Sequence, residues 1–162
     1  MNIHIRPAVP EDCGRIRPLQ RQIADLHHRG RPDLFRTEAR FFTQESFAER
    51  LADPAHHIRI AQADDGTVVG YAFAWVIAYR DHSTYVDFDC FYIDDICVLE
   101  SFRRRGIGTQ LFEVCKEKAR ELGCRNMDLG VWGFNREAIA FYESCGMRER
   151  IRRMEYRLEE AE

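Results

Sequence analysis

The spacing of apolar residues along the chain predicts alternating helices and strands. A helix is predicted over residues 11–28, because apolar residues recur there every three or four positions. The residues at this spacing are Ile16, Leu19, Ile23 and Leu26. Over residues 67–79, bulky and small apolar residues alternate with a period of two, which is typical of a central strand covered on both faces. The small residues on one face would let a helix approach closely.

The remaining elements follow from capping residues, glycines and shorter apolar runs. Thr43 is the predicted N-cap of a second helix, and Gly123 is the predicted end of the helix after residue 106. The other predicted elements are strands over residues 3–6, 58–63, 126–131 and 150–158, a strand ending near Val98, and a helix from Asn135 to Gly146. The order β-α-α-β-β-β-α-β-α-β predicts an α/β fold whose mixed sheet has helices on both faces.

Length and composition favour one globular domain. The chain has 162 residues, and we expect residues 1–158 to form a single domain with residues 159–162 as a frayed tail. A net charge of −3 argues against a general nucleic-acid binder. We expect no membrane partner, because no apolar run approaches the ~18 residues of a membrane span. The first residues also lack the apolar core of a signal peptide.

Cysteine and histidine usage bears on location and metal binding. Six cysteines are scattered without a Cys-x-x-Cys pair, which is typical of reduced, mostly buried thiols in the cytoplasm. The pairs His27-His28 and His56-His57 lack the spacing of metal ligands, since neighbours on a helix do not face one another. We therefore expect a cytoplasmic protein without a metal site.

A glycine-rich loop stands between the strand that ends near Val98 and a helical pattern. Its sequence is Arg103-Arg104-Arg105-Gly106-Ile107-Gly108. Two glycines let the backbone pass close to a ligand, and a helix N-terminus beside arginines attracts phosphates. Thr109 follows where a P-loop needs lysine, and Leu111 stands where a dinucleotide fingerprint needs its third glycine. The loop therefore predicts a phosphorylated cofactor of another class.

Three segments resemble those of the GNAT superfamily of N-acetyltransferases. Arg103, Gly106 and Gly108 fill the pattern Arg/Gln-x-x-Gly-x-Gly/Ala, the acetyl-coenzyme A signature of that family. The strand 92–98 resembles its fourth strand, and residues 135–146 resemble its second cofactor motif, Asn-x-x-Ala-x-x-Phe-Tyr-x-x-x-Gly. The resemblance implies the GNAT fold, with a mixed central sheet of about six to seven strands and helices on both faces.

The resemblance implies an enzyme that moves the acetyl group of acetyl-CoA directly to a primary amine of a small molecule, peptide or protein. In the family the fourth strand diverges from its neighbour, which leaves backbone N–H groups near the end of the fourth strand unpaired. The resemblance therefore implies that the corresponding strand of this chain lies along the pantetheine and the thioester. It also implies that the loop 104–109 binds the pyrophosphate. The implied cofactor-binding residues are Ile96, Cys97, Val98, Arg103, Arg104, Arg105, Gly106, Ile107, Gly108, Thr109, Asn135 and Tyr142. A transferase of another acyl group and a non-catalytic acyl-CoA sensor remain as alternatives.

Candidate catalytic residues follow from what acetyl transfer requires. The attacking amine must be neutral, and the departing thiolate takes up a proton. Tyr142 occupies the family's general-acid position. For the general base, strand alternation places Asp94 and Asp95 on opposite faces. Asp94 is preferred because it matches an acidic residue of polyamine-type relatives, and Asp95 or a water chain remain as alternatives.

The sequence does not name the acceptor amine. In the family, acceptor choice rests on segments that correspond here to residues 26–42 and 80–85. Within the first of these, Phe35, Phe41 and Phe42 form either a pocket wall or part of the core, and core is the favoured interpretation. Many family members are homodimers, and the strand predicted over residues 150–158 offers an edge for a second copy. We therefore expect a homodimer whose partners are acetyl-CoA and an amine.

Overall fold

The computed structural model describes residues 2–158 and contains a mixed five-stranded sheet. The strands, in spatial order, are β1 (Ile3–Pro7), β2 (His56–Ala63), β3 (Val68–Tyr79), β4 (Phe88–Val98) and β5 (Asn126–Leu129). Strands β1 to β4 pair antiparallel, and β5 lies parallel to β4. The mixed sheet predicted from the sequence is confirmed, with one strand fewer among the described residues than the expected minimum.

The helices lie close to the predicted positions, with one exception. They are α1 (Asp12–Arg15), α2 (Arg17–Gly30), α3 (Gln44–Ala52), α4 (Ile107–Glu121) and α5 (Arg136–Ser144), and a short 3-10 turn spans Glu100–Phe102. The prediction of a single helix over residues 11–28 is wrong, because the helix is interrupted at Ile16, between α1 and α2. Pro18 explains the break, since proline has no N–H to donate and its ring crowds the carbonyl four residues earlier.

The two faces of the sheet are covered by different helices. On one face, residues of α1, α2 and α3 form a core with β2, β3 and Cys97. On the other face, α4 contributes its buried residues, which are Ile107, Leu111, Phe112, Cys115 and Ala119, whereas Leu122 at its end is exposed. At Gly70 a Cβ atom would lie 2.9 Å from the Cys97 carbonyl oxygen and 3.3 Å from Cδ1 of Leu111. The close helix approach expected over the small face of β3 is therefore confirmed.

A buried ion pair fixes α1 to β1. The Asp12 carboxylate is fully buried and accepts hydrogen bonds from both terminal nitrogens of Arg6, at 2.7 and 2.8 Å. It also accepts one from the Val9 N–H at 2.9 Å. Burial raises the pKa of Asp12, but the hydrogen bonds from Arg6 and Val9 outweigh burial and leave the pKa below its ordinary value.

The chain divides into two compact units, Met1–Gly130 and Val131–Glu162. The first contains the sheet and α1 to α4, and the second contains α5. The strand predicted over residues 150–158 is wrong, because residues 147–158 form no strand or helix. The apolar side chains of Ile151, Met154, Tyr156 and Leu158 are exposed, and Tyr156 reaches 87%. The predicted tail, residues 159–162, lies outside the described residues. Among residues 2–158, no helix is long and apolar enough to cross a membrane.

Candidate active site

The pairing between β4 and β5 ends before the segment of β4 that is expected to hold the cofactor. The two strands pair only from Cys90 to Ile93, opposite 126–129, whereas β4 continues to Val98. Within the described residues, the β5-side edge of 94–98 therefore has no strand partner. Backbone groups on such an edge are available to an extended ligand. The unpaired edge that the family resemblance implies for the end of β4 is therefore present among the described residues.

A side chain from α2 holds the end of β4. The Gln22 amide donates to the Val98 carbonyl oxygen at 2.9 Å, and its Oε1 accepts from the Glu100 N–H at 2.9 Å.

The Cys97 side chain is buried and donates to the Leu19 carbonyl oxygen at 3.5 Å. Burial raises the pKa of Cys97 far above its ordinary range. Cys97 is therefore a neutral, inward-facing thiol, and only its backbone can serve a cofactor.

The glycine loop ends in an uncapped helix N-terminus. Gly106 is the N-cap of α4 with φ +76°, and Arg104 also has a positive φ of 62°. The first backbone bond into α4 runs from Gln110 N–H to the Gly106 oxygen, and glycine has no side chain with which to cap the helix. The N–H groups of residues 107–109 therefore have no acceptor within the helix, and the helix dipole makes them a seat for anions.

A cavity of about 260 Å³ adjoins β4 in the first unit. Residues of α2, the following loop, β3 and β4 line it: Gln20, Ile23, Ala24, His27, Phe35, Ala39, Phe41, Phe42, Tyr71, Phe73, Asp94 and Asp95. Both predicted acids thus face one cavity, and the expectation that they lie on opposite faces is wrong. The cause is a β-bulge at Asp94: Phe73 pairs with Asp95 and Ala74 with Ile93. The extra residue shifts the alternation by one position.

The two carboxylates have different surroundings. Tyr71 donates its hydroxyl to Oδ2 of Asp95 at 2.5 Å. Burial raises the pKa of Asp95 to about 7, against the lowering effect of that hydrogen bond. The Asp94 side chain is exposed, and burial of its carboxylate by nearby atoms raises its pKa while the charge of Arg50 lowers it. The cavity therefore holds an acid whose pKa lies near neutral pH.

The cavity wall is largely aromatic. Phe42 stacks on Phe73 with ring centroids 5.4 Å apart, and His27 stacks on Phe35 at 4.8 Å. Burial lowers the pKa of His27, which favours the neutral ring. The favoured assignment to the core is corrected for Phe35 and Phe41, which line the cavity, whereas Phe42 both lines the cavity and packs against the core. Sequence reasoning missed Tyr71, whose only signal was its place among the bulky residues of β3.

The second cofactor motif lies in the other unit. Asn135 is the N-cap of α5, and its Oδ1 accepts from the Ala138 N–H at 3.1 Å. The helix predicted from Asn135 is therefore confirmed, with Asn135 as its N-cap. Tyr142 lies two turns later in α5, beside Phe141 with ring centroids 5.1 Å apart. Among the described residues, no group of three His, Cys, Asp or Glu side chains is placed to hold a metal ion.

Comparison with known proteins identifies the family. The acetyltransferase (GNAT) family model matches residues 21–147. Mouse thialysine N-epsilon-acetyltransferase is 28% identical over 152 residues, covering 90% of this chain and 84% of that protein. A crystal structure of a mutant BH1408 protein from Bacillus halodurans has a TM-score of 0.91 at 26% identity, covering 96% of this chain and 99% of that one.

The same fold occurs in an aminoglycoside N-acetyltransferase, AAC(6')-Iy, solved in complex with CoA. Its TM-score is 0.72 at 23% identity, and the superposition covers 97% of this chain and 95% of that one. The family match includes β4, the glycine loop and the Asn135-to-Tyr142 motif. The chain belongs to the acetyltransferase (GNAT) family and is an acetyl-CoA-dependent N-acetyltransferase.

Proposed function

We propose that the acceptor is a small molecule with a primary amine on an apolar stem. The observation that carries this proposal is the cavity in which Asp94 and Asp95 share a wall with five aromatic rings. Carboxylates attract an ammonium group, and aromatic faces bind both a cation and an apolar stem. No lysine or arginine of the described residues lines the cavity, which further favours a cationic ligand. The named activity of the mouse relative, on the amine of thialysine, supports the same class.

The cofactor side of the proposal uses the free edge of β4 and the start of α4. Backbone groups of Ile96, Cys97 and Val98 would hold the pantetheine and thioester, and residues 103–109 would hold the pyrophosphate. Asn135 and Tyr142 would complete the cofactor site, on the strength of their sequence motif. The fit rests on observed features: the unpaired edge, the positive φ of Gly106 and the uncapped helix.

The proposed reaction is a direct transfer. The neutral amine nitrogen attacks the thioester carbonyl, a C–N bond forms, and the C–S bond breaks with its electron pair passing to sulfur. A proton leaves the amine for a cavity carboxylate, and Tyr142 gives a proton to the thiolate. A thiol has a pKa of about 8.5, so the thiolate is already a fair leaving group and Tyr142 assists without being indispensable.

A series of straight-chain primary amines tests the acceptor class. With acetyl-CoA and release of free thiol as the readout, kcat/KM should rise about fourfold per added methylene until the cavity is filled, because each buried methylene contributes about 0.8 kcal/mol. Thialysine should be a substrate, and an aminoglycoside and a lysine peptide should be poorer ones. A flat series, or a preference for the peptide, would contradict the apolar-stem assignment.

The same assay separates the alternatives to acetyl transfer. Propionyl-CoA in place of acetyl-CoA measures acyl selectivity, and faster thiol release with it would favour the other acyl group. Calorimetric binding of acetyl-CoA without thiol release from any amine would favour the sensor. We expect release with acetyl-CoA, because a sensor has no need of two acids in the acceptor cavity.

We further propose a cytoplasmic homodimer. All six cysteines are free thiols, and four are buried, which supports a reducing compartment. Dimerisation is supported by the exposed apolar side chains near the C-terminus, at Ile151, Met154, Tyr156 and Leu158. Sedimentation at micromolar concentration should show a species of twice the 19.1 kDa chain mass. A monomer alone would refute the dimer.

A further inference from the structure

We propose that Tyr71 is a positioning residue that holds Asp95 as the carboxylate that accepts the proton of the acceptor amine. The inference rests on the proposed amine-acetylating function and deepens it by dividing the work of the two acids. Asp95 takes the proton, while the bulge residue Asp94 attracts the incoming ammonium. The family resemblance favoured Asp94 as the base, so the structure leads to the other assignment.

The geometry of Asp95 supports this role. Its Oδ2 is occupied by the Tyr71 hydroxyl at 2.5 Å, and the described residues give Oδ1 no hydrogen-bond partner. Tyr71 is buried, and its ring packs edge-on against Phe73 with centroids 5.0 Å apart. Two buried rings therefore fix the orientation of one carboxylate oxygen. Asp95 lines the cavity, so its other oxygen is the one to which we expect an amine to donate.

The position of Asp95 on β4 also suits proton transfer at the thioester. The residue directly precedes Ile96, Cys97 and Val98, whose backbone lies on the free edge of the strand. An amine that donates to Oδ1 would then lie close to the strand segment proposed for the thioester. Asp94 is one residue farther away, in the bulge, and its side chain is exposed. An exposed carboxylate is well placed to attract a cation from solvent but poorly placed to exclude water from a proton transfer.

Charged and titratable groups face Asp95 from several elements. They are Asp94 and Cys97 on β4, Tyr71 on β3, His27 on α2, and Arg50 on α3, which acts on Asp94. Cys97 and Tyr71 stay protonated because burial raises their pKa values. Burial also lowers the pKa of His27 and so favours its neutral ring. Burial raises the pKa of Asp95 to about 7, so Asp95 is the group for which we expect a change of charge near neutral pH.

A direct titration tests the pair without requiring any substrate. Carbon-13 labelling of aspartate carboxyl groups lets NMR follow each acid with pH, and an Asp95→Asn spectrum assigns the signal. We expect Asp95 to titrate near neutral pH in the wild type and about one pH unit higher in Tyr71→Phe, because the lost hydrogen bond stabilised the ionised form. Titration of wild-type Asp95 near the ordinary aspartate range, or no movement in Tyr71→Phe, would overturn the proposal.

The pH dependence of kcat/KM for the best straight-chain amine tests the role itself. Loss of the Tyr71 hydroxyl should move the acidic limb upward by about one pH unit, with a defect that shrinks as pH rises. Asp95→Asn should lower kcat by about 10²- to 10⁴-fold, the range for acid–base catalysis. Asp94→Asn should mainly raise KM for the amine. Tyr79→Phe is the matched control, because Tyr79 lies on the same strand and stacks on Phe88, outside the cavity lining.

The outcomes separate this inference from the proposed acceptor class. A Tyr71→Phe defect that is constant across pH would indicate a merely structural role and overturn the inference. A larger kcat loss in Asp94→Asn than in Asp95→Asn would also overturn it. If no amine is acetylated, the proposed acceptor class fails, while the NMR titration still decides whether Tyr71 governs the ionisation of Asp95.

Discussion

Replacing Gly106 with alanine should weaken CoA binding far more than it destabilises the fold. Gly106 has φ +76°, and a Cβ atom there would meet no described protein atom within 4 Å. The protein itself therefore opposes the substitution only through the left-handed backbone, which costs an L-residue about 1–2 kcal/mol. For a chain of this size that cost corresponds to a fall in Tm of roughly 2–8 °C.

The expected loss of CoA affinity has a separate cause. If the pyrophosphate lies against the N–H groups at the start of α4, a methyl group on Gly106 would push it away from donors to a charged acceptor. Hydrogen bonds to charged groups contribute about 1.5–3 kcal/mol each, so losing one should weaken CoA binding roughly 10- to 150-fold. Isothermal titration calorimetry with CoA measures this directly.

Gly123 offers a matched control on the same helix. It follows the other end of α4, has φ +70°, and a Cβ atom there would also meet nothing within 4 Å among the described residues. Gly123→Ala should therefore lose similar stability and keep wild-type CoA affinity. Equal affinities for CoA in the two variants would refute the placement of the pyrophosphate at the start of α4.

Three other predictions concern catalysis and stability. Tyr142→Phe should lower kcat by about ten- to a thousandfold with little change in acetyl-CoA affinity if it protonates the thiolate, and full kcat when chemistry limits the rate would exclude that role. Asp12→Ala should cost about 2–3 kcal/mol of unfolding free energy at pH 7, since partly exposed Arg6 loses its buried partner. The pKa of Asp12 is lowered in the folded protein, so the stability that Asp12 contributes is present above its unfolded pKa of about 3.9 and is lost as pH falls through the folded pKa. The difference in unfolding free energy between wild type and Asp12→Ala, measured by urea unfolding, should therefore be smaller at pH 3 than at pH 7. Gly70→Ala should cost about 1–3 kcal/mol by overpacking against the Cys97 carbonyl, and an unchanged urea midpoint would contradict that contact.

Local signals in the sequence were sufficient for most of the fold. The capping box between Thr43 and Ser46 forms as its residue types suggest, with Thr43 Oγ1 accepting from the Ser46 N–H at 3.1 Å. The alternation along β3 correctly indicated a strand covered on both faces in its first half, where residues 68–74 are buried. The sequence analysis missed the break between α1 and α2, although its local signal, Pro18, stands inside the periodic run.

Other features depend on partners distant in sequence. The alternating residues Met154, Tyr156 and Leu158 suggested a strand, yet a strand needs a neighbour to pair with, and residues 147–158 have no ladder partner in the described part of the chain. The apolar character of Phe41 and Phe42 fits a core position and a cavity wall equally well. That distinction depends on the space between α2, the following loop and the sheet, which hydropathy does not encode.

The bulge at Asp94 explains why the site could be located from the sequence but its acids could not be assigned. A bulge is a property of the register between two strands, so the residues of β4 alone indicate regular alternation. It occurs directly after Ile93, the last residue of β4 that pairs with β5. Strand β4 therefore changes its relation to both neighbours at one point. The change on the β5 side leaves without a strand partner the edge that we propose for acetyl-CoA, and the change on the β3 side turns two acids towards the proposed acceptor cavity. In the proposed reaction, acetyl-CoA and the amine would therefore meet along one segment of β4, with Asp95 next to the residues proposed to hold the thioester.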